Sequence, residues 1–410
     1  MFDVKSHLIN EILAPWMRFA LDRTHGGFYG HLDEDWKPNP EAAKGLVQHS
    51  RFLWTYSSAV RRYPDHPNVK DWRNVAEHAR LFLEERFVDR ESGGCFWSVS
   101  NRGAPLDNRK HIYPHSFYIY ANAEYARAFA NPSALTRALE VFNLLEAKAH
   151  DTTYLGYRES FDRDWNEIDQ HEDMGMRGRR KSMNSHIHML ESVTVLAEAC
   201  KEITSEIPAL VLARLSELRE LVCQRIFSRK RNSLDQFFER DWSRLPAKTS
   251  YGHDIETSWL LEDALQVGAV SDADRTTCAL VCDSLAHNTL KGMQFSHGAT
   301  RGGLAYEGNS HGEAIDPRRV WWPQAEALVG FSRAFHRSET TSRKNAYAEA
   351  HHKIADWIVT SQRDAERGDW FEEILEDGRA HSPKGHMWKD PYHQARACME
   401  VIDRPVGAQQ

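Results

Sequence analysis

Gly26-Gly27-Phe28-Tyr29 decides the fold, because it comes back along the chain. It returns as Gly93-Gly94-Cys95-Phe96-Trp97, as Leu155-Gly156-Tyr157 and, degraded, as Leu234-Asp235-Gln236-Phe237-Phe238. Two more copies follow, Gly302-Gly303-Leu304-Ala305-Tyr306 and Gly368-Asp369-Trp370-Phe371. Six copies roughly 60 to 80 residues apart leave room for one helical hairpin and its loops in each repeat. Between the copies, apolar residues recur at three- and four-residue spacing. About twelve helices are expected, over 2–22, 42–62, 67–87, 113–130, 132–148, 182–201, 206–226, 251–267, 271–290, 317–336, 341–362 and 390–401. Asn131-Pro132 and Asp316-Pro317 offer an N-cap followed by a first-turn proline. Strand signals are confined to the aromatic runs after the glycines, which suit short β-hairpins.

Six helical hairpins can close into a ring or stack as an open solenoid. The even-numbered helices carry His49, Arg51, Tyr113, His115, Asn184, His188, His253, Glu256, Trp321, Trp322 and His393 near their starts, whereas 67–87 and 341–362 are plainly amphipathic. A polar cluster once per repeat, at matching helix ends, favours closure. The expectation is an all-α (α/α)6 barrel with the even helices inside, their N-termini around one mouth, as a single domain over 1–410.

The bulk numbers exclude several classes. The 410 residues carry a net charge of −7 with acids and bases interspersed, so no basic stripe invites nucleic acid and no polybasic run invites a membrane surface. No window approaches 18 apolar residues, and Met1 to Leu13 mixes charges with apolar residues, unlike a signal peptide. The six cysteines are scattered, with no disulfide framework or zinc knuckle, which suits a cytoplasmic location. The 13 tryptophans offer faces for sugar C–H groups, and the 22 histidines offer acid–base chemistry near neutral pH.

Four clusters could carry chemistry. Asn184 and His188 share a helical stripe with Glu191. His186 diverges from His188 on a helix, so the His-x-His pair is no metal site and none is expected elsewhere. His253 and Glu256 face the same way; either the carboxylate fixes the imidazole tautomer or the group caps a helix. Trp321-Trp322-Pro323-Gln324-Ala325-Glu326 starts a helix, its two indoles about 100° apart. Trp388 and His393 fall at the loop-to-helix junction Lys384 to Arg396, with Arg51 and Tyr113 completing a polar ring.

These strings, with Arg51-Phe52-Leu53-Trp54-Thr55-Tyr56-Ser57, resemble the N-acylglucosamine 2-epimerase superfamily, nearest to its cellobiose 2-epimerase and mannose 2-epimerase branch. The resemblance runs from Gly26 to Glu400 in the same order. It implies cofactor-independent epimerisation at C2 of an aldose, either a glucose/mannose-type monosaccharide or the reducing-end glucose of a β-disaccharide. It implies His253 and His393 as the acid–base pair, His188 in ring opening and Glu256 supporting His253. Arg51, Tyr113 and Asn184 would hold oxygens, and Trp321 or Trp322 with Trp388 would stack on the sugar. Glu326 lies beside them as a further substrate-site residue. Gln48-His49-Ser50 and Gly385-His386-Met387 depart from the disaccharide enzymes and are expected near an outer-sugar subsite. The alternatives are an aldose–ketose isomerase through the same enediolate, an inverting glycoside hydrolase using Asp254, Glu256 or Glu326, and a non-catalytic sugar-binding protein. A sugar is the expected partner, and the chain is expected to be a monomer or homodimer.

Overall fold

The computed structural model describes residues 2–169, 178–246, 248–294, 302–309, 311 and 313–407. Twelve helices are present among them: α1 (residues 4–19), α2 (Leu46–Arg62), α3 (residues 69–87), α4 (Ile112–Phe129), α5 (Pro132–Lys148), α6 (Met183–Thr204), α7 (residues 209–226), α8 (Tyr251–Ala264), α9 (Asp272–Thr289), α10 (Trp321–Arg337), α11 (residues 341–362) and α12 (Tyr392–Asp403). The even helices pack in sequence, α2 on α4, α4 on α6 and so on to α12, which packs back on α2. That last contact closes the (α/α)6 barrel. Each odd helix lies outside an even neighbour. None of these helices is long and apolar enough to cross a membrane.

Sequence explains the two layers. The outer α3 buries Trp72, Val75, Ala76, Ala79 and Phe82, a single stripe at helical spacing. The inner α2 buries every residue from Leu46 to Val60, polar ones included. A helix buried all round must find hydrogen-bond partners for its polar side chains, and the glycine–aromatic copies supply them.

Four of the six copies fold back as tight loops, each closed by one antiparallel bridge: Leu21 with Phe28, Val88 with Cys95, His150 with Tyr157 and Arg363 with Trp370. A polar residue at the fourth position of the next inner helix then docks the loop. His49, His115 and His186 accept the backbone N–H of Phe28, Cys95 and Tyr157 at Nε2, at 2.9–3.0 Å. Their Nδ1–H groups donate to the carbonyls four residues back, Gly45, His111 and Ser182. Asp254 takes the same part toward Leu234 N–H in the degraded fourth copy, and Gln324 toward Leu304 N–H in the fifth. Buried Lys–Asp pairs reinforce four loops: Lys44–Asp22, Lys110–Asp89, Lys181–Asp151 and Lys384–Asp364, at 2.7–3.2 Å.

Asn131 caps α5 as expected, accepting from Ala134 N–H. Asp316-Pro317 does not start α10. Ala314–Asp316 and Arg319–Val320 are strand segments, the second paired with Glu373–Ile374, so the helix begins only at Trp321.

Candidate active site

A cavity of about 310 Å3 opens at the N-terminal ends of the inner helices. It is lined by Arg51, Tyr113, Asn184, His188, His253, Glu256, Tyr306, Trp321, Trp322, Trp388 and His393. Ten of the residues singled out in the sequence thus meet in one place, and Glu326 stands behind His393. Position within each helix explains the convergence. The sixth residues of α2, α6, α8 and α10 are Arg51, His188, Glu256 and Glu326, all turned toward the axis. The second residues of α4, α6 and α10 are Tyr113, Asn184 and Trp322, at the rim.

The three histidines of the cavity have different settings. His393 Nδ1 lies 2.7 Å from Glu326 Oε1. Arg396 donates to the same oxygen at 2.8 Å and Trp259 Nε1–H to Glu326 Oε2 at 3.3 Å. Surrounded by donors, Glu326 accepts, so Nδ1 of His393 carries the hydrogen and Nε2 is left with a lone pair. His188 Nδ1 is 2.8 Å from Glu191 Oε2. Burial works against ionisation of Glu191, but Arg396 and His188 overcome it and hold the carboxyl at about 2, so His188 also donates from Nδ1. His253 Nδ1 pairs with Ser250 Oγ at 2.7 Å. Burial lowers His253 to about 3, and burial with Arg51 and Arg396 drives His393 well below the usual histidine value. Both rings are therefore neutral near pH 7.

His253 and His393 lie against the same indole. The Trp322 ring is centred 4.6 Å from His253 and 5.9 Å from His393. Trp321 also lines the cavity but is turned edge-on to His393, its centroid 6.3 Å away. Gly252 makes room for Trp322: a Cβ there would stand 2.5 Å from Cζ3 of the indole. Arg51 is clamped between the Phe117 and Tyr392 rings, 4.4 and 5.1 Å from their centroids, and is 3.7 Å from Asp390. Asn184 Oδ1 is buried without a partner at the cavity wall.

Some expectations require correction. Glu256 does not hold His253; it accepts from Arg396 Nη2 at 2.8 Å. Its carboxyl is raised well above the usual range by burial and by Glu326. The residue that braces a cavity histidine from the neighbouring helix is Glu326. Gln48, His49 and Ser50, and Gly385, His386 and Met387, do not line the cavity. His49 docks a loop, Gln48 donates to the His386 carbonyl at 3.2 Å, and His386 accepts Trp388 N–H at 3.2 Å. Sequence reading also missed Tyr306 and Arg396. Arg396 is the sixth residue of α12 counted from Pro391, the same axial position, and one guanidinium there meets Glu191, Glu256 and Glu326. One ligand atom from each of Glu256, Glu326 and His393 lies within 4.8 Å of the others, a grouping able to take a cation. Arg396 already places positive charge on both carboxylates.

A family model described as N-acylglucosamine 2-epimerase matches residues 27–397. The chain belongs to the N-acylglucosamine 2-epimerase family. It is 33% identical over 409 residues to the cellobiose 2-epimerase of Bacteroides fragilis, covering 98% of both chains. The solved cellobiose 2-epimerase of Bacillus thermoamylovorans superposes with a TM-score of 0.87 at 32% identity, over 98% of both chains. A solved D-mannose isomerase shares the fold with a TM-score of 0.80 at 21% identity, over 98% of this chain and 97% of the other. The enzyme is a sugar 2-epimerase of the isomerase class.

Proposed function

We propose that the enzyme inverts C2 of the reducing-end glucose in a β-linked disaccharide of the cellobiose type, with His253 and His393 working from opposite faces of the open-chain sugar. The observation that carries this reading is the placement of both imidazoles against Trp322 in one cavity. The relatives at about one-third identity over the full chain are cellobiose 2-epimerases, which favours the disaccharide. The departures at Gln48-His49-Ser50 and Gly385-His386-Met387 no longer weigh against it, since those residues do not line the cavity.

The chemistry needs three events. His188, oriented by Glu191, assists proton transfer as the pyranose opens to the aldehyde. One imidazole then takes the C2 proton, and negative charge grows on O1 of the enediolate. Arg51 supplies a fixed donor for that charge, with Tyr113 and Asn184 at neighbouring oxygens. The second imidazole, neutral before the sugar binds, takes a proton from solvent on binding and returns that proton to the other face of C2. The pair exchanges roles in the reverse direction, and the electron count is unchanged, so no redox cofactor takes part.

A glycoside hydrolase would need two independent carboxyls flanking a glycosidic bond. Here Glu256 and Glu326 bind one guanidinium, and only Glu256 lines the cavity. Incubation with cellobiose followed by NMR separates the readings. The expected product is the glucosyl-mannose epimer. Free glucose indicates hydrolysis, a glucosyl-fructose as main product indicates the isomerase, and unchanged cellobiose with epimerised free glucose or mannose indicates a monosaccharide enzyme.

A further inference from the structure

Three of the six cysteines gather at one place that their spacing along the chain conceals. Cys223, near the end of α7, and Cys278, in the second turn of α9, have sulfurs 3.5 Å apart. Cys282 stands one turn further along α9. Both helices belong to the outer layer, and both pack against the inner α8 between them.

The two thiols are 4% and 3% exposed, but they are not sealed off. Cys223 and Thr277, the chain neighbour of Cys278, line a surface cavity of about 590 Å3. Arg229, Lys230 and Arg244 stand on the same wall. The pair is also arranged for nucleophilic sulfur chemistry. Cys223 donates its S–H to Cys278 Sγ. That bond, helped by the Arg219 guanidinium, lowers Cys278 against the effect of burial, and it keeps the proton on Cys223. Arg219 is itself buried and donates to the Ala264 carbonyl at 3.0 Å. The thiolate is the form of cysteine that attacks, and a second thiol in contact is what resolves the product into a disulfide.

We propose that Cys223 and Cys278 form a site of reversible disulfide formation, with hydrogen peroxide as the oxidant and the surface cavity as its way in. The Cys278 thiolate attacks one peroxide oxygen. The O–O bond breaks, and hydroxide leaves and takes up a proton to become water. The Cys223 sulfur then attacks the sulfenic sulfur of Cys278. The S–O bond breaks, and the departing hydroxide carries off the Cys223 proton as a second water. Two thiols are oxidised and one peroxide is reduced. A disulfide measures about 2.05 Å, so the sulfurs close by about 1.5 Å. The loop closed between 223 and 278 contains the whole of α8, with His253 and Glu256. The bond therefore staples the segment that carries one of the two acid–base histidines.

Treatment of the full chain with hydrogen peroxide tests this, with free thiols counted in denaturant and unreduced peptides mapped by mass spectrometry. The expected result is loss of two of the six free thiols and one peptide pair joined through 223 and 278. Tm should rise by several degrees and return to its starting value in dithiothreitol. Cys278→Ala, which lacks the attacking sulfur, should keep all its remaining thiols at the same exposure. Cys223→Ser should form no joined pair and should instead take up dimedone at Cys278, as an unresolved sulfenic acid does. Either variant suffices where the other does not fold. Six thiols that survive the treatment overturn the proposal. So does a link through Cys282 in place of Cys278, or a joined pair in Cys223→Ser that includes Cys278. A 223–278 link with Tm unchanged overturns the stapling of α8.

Discussion

Trp322 is held over the first turn of α8 only because position 252 has no side chain. In Gly252→Ala the new methyl overlaps the indole, which must swing into the sugar's space or away from it. KM for the disaccharide should rise severalfold while circular dichroism is unchanged; an unaltered KM would show that the sugar does not rest on this ring. Arg51 has two effects that pH separates. It donates to the enediolate, so Arg51→Gln should cost roughly 10²–10³ in kcat. It is also, after burial, the largest influence lowering His393. The imidazole acts as base only when neutral, so kcat/KM falls as pH drops through its folded pKa, which in the native enzyme lies below the free-histidine value near 6.5. Removing the Arg51 charge should raise that pKa and move the acid limb to higher pH. An acid limb that stays in place would mean that another group controls it.

The inner helix is where sequence reading succeeded and where it blurred. Twelve helices and the identity of the inner six were legible, because the period of the repeat and the placement of polar residues are one-dimensional signals. What was not legible is which way neighbouring polar residues point. His49 and Arg51 are two positions apart and look like one polar cluster; for His186 and His188, at the same spacing, the divergence was legible but not which of the two faces the axis. Two helical positions are about 200° of rotation, so the fourth residue faces outward to its loop while the sixth faces the axis. Glu256 was paired with His253 along one helix, but the closed ring brings Glu326 and Arg396 from neighbouring helices, which no local spacing reveals. The docking device makes its own prediction. Gly94 has φ of +70°, and a Cβ there would stand 2.7 Å from His115 Nε2 and 2.8 Å from Trp165. Gly94→Ala should cost about 2–4 kcal/mol in urea unfolding, while kcat of the folded fraction stays native. A cost under about 0.5 kcal/mol would mean that the loop re-docks freely.

Across the molecule, the ring closes where α1, α2 and α12 meet. Tyr56 on α2 donates to the Leu13 carbonyl of α1 at 2.8 Å, fully buried. Arg62 at the end of α2 reaches Glu400 and Asp403 on α12. Closure sets the site: α12 brings His393 and Arg396 beside Glu326 of α10 and Glu191 of α6, and an open solenoid would not. Tyr56→Phe should therefore lower stability by about 1 kcal/mol with KM unaltered, since the bond lies at the seam and not at the sugar. A large change in KM with native stability would reverse that assignment.

Proton exchange at C2, followed separately from each epimer, tests the opposed histidines most directly. Wild-type enzyme in D2O should place deuterium at C2 starting from either the gluco or the manno disaccharide. His253→Ala and His393→Ala should both abolish epimerisation with the fold intact, and each should still exchange C2 in one epimer only, the two variants retaining opposite epimers. If either variant still epimerises, or if both lose exchange from the same epimer and keep the other, the imidazoles do not serve opposite faces of one carbon.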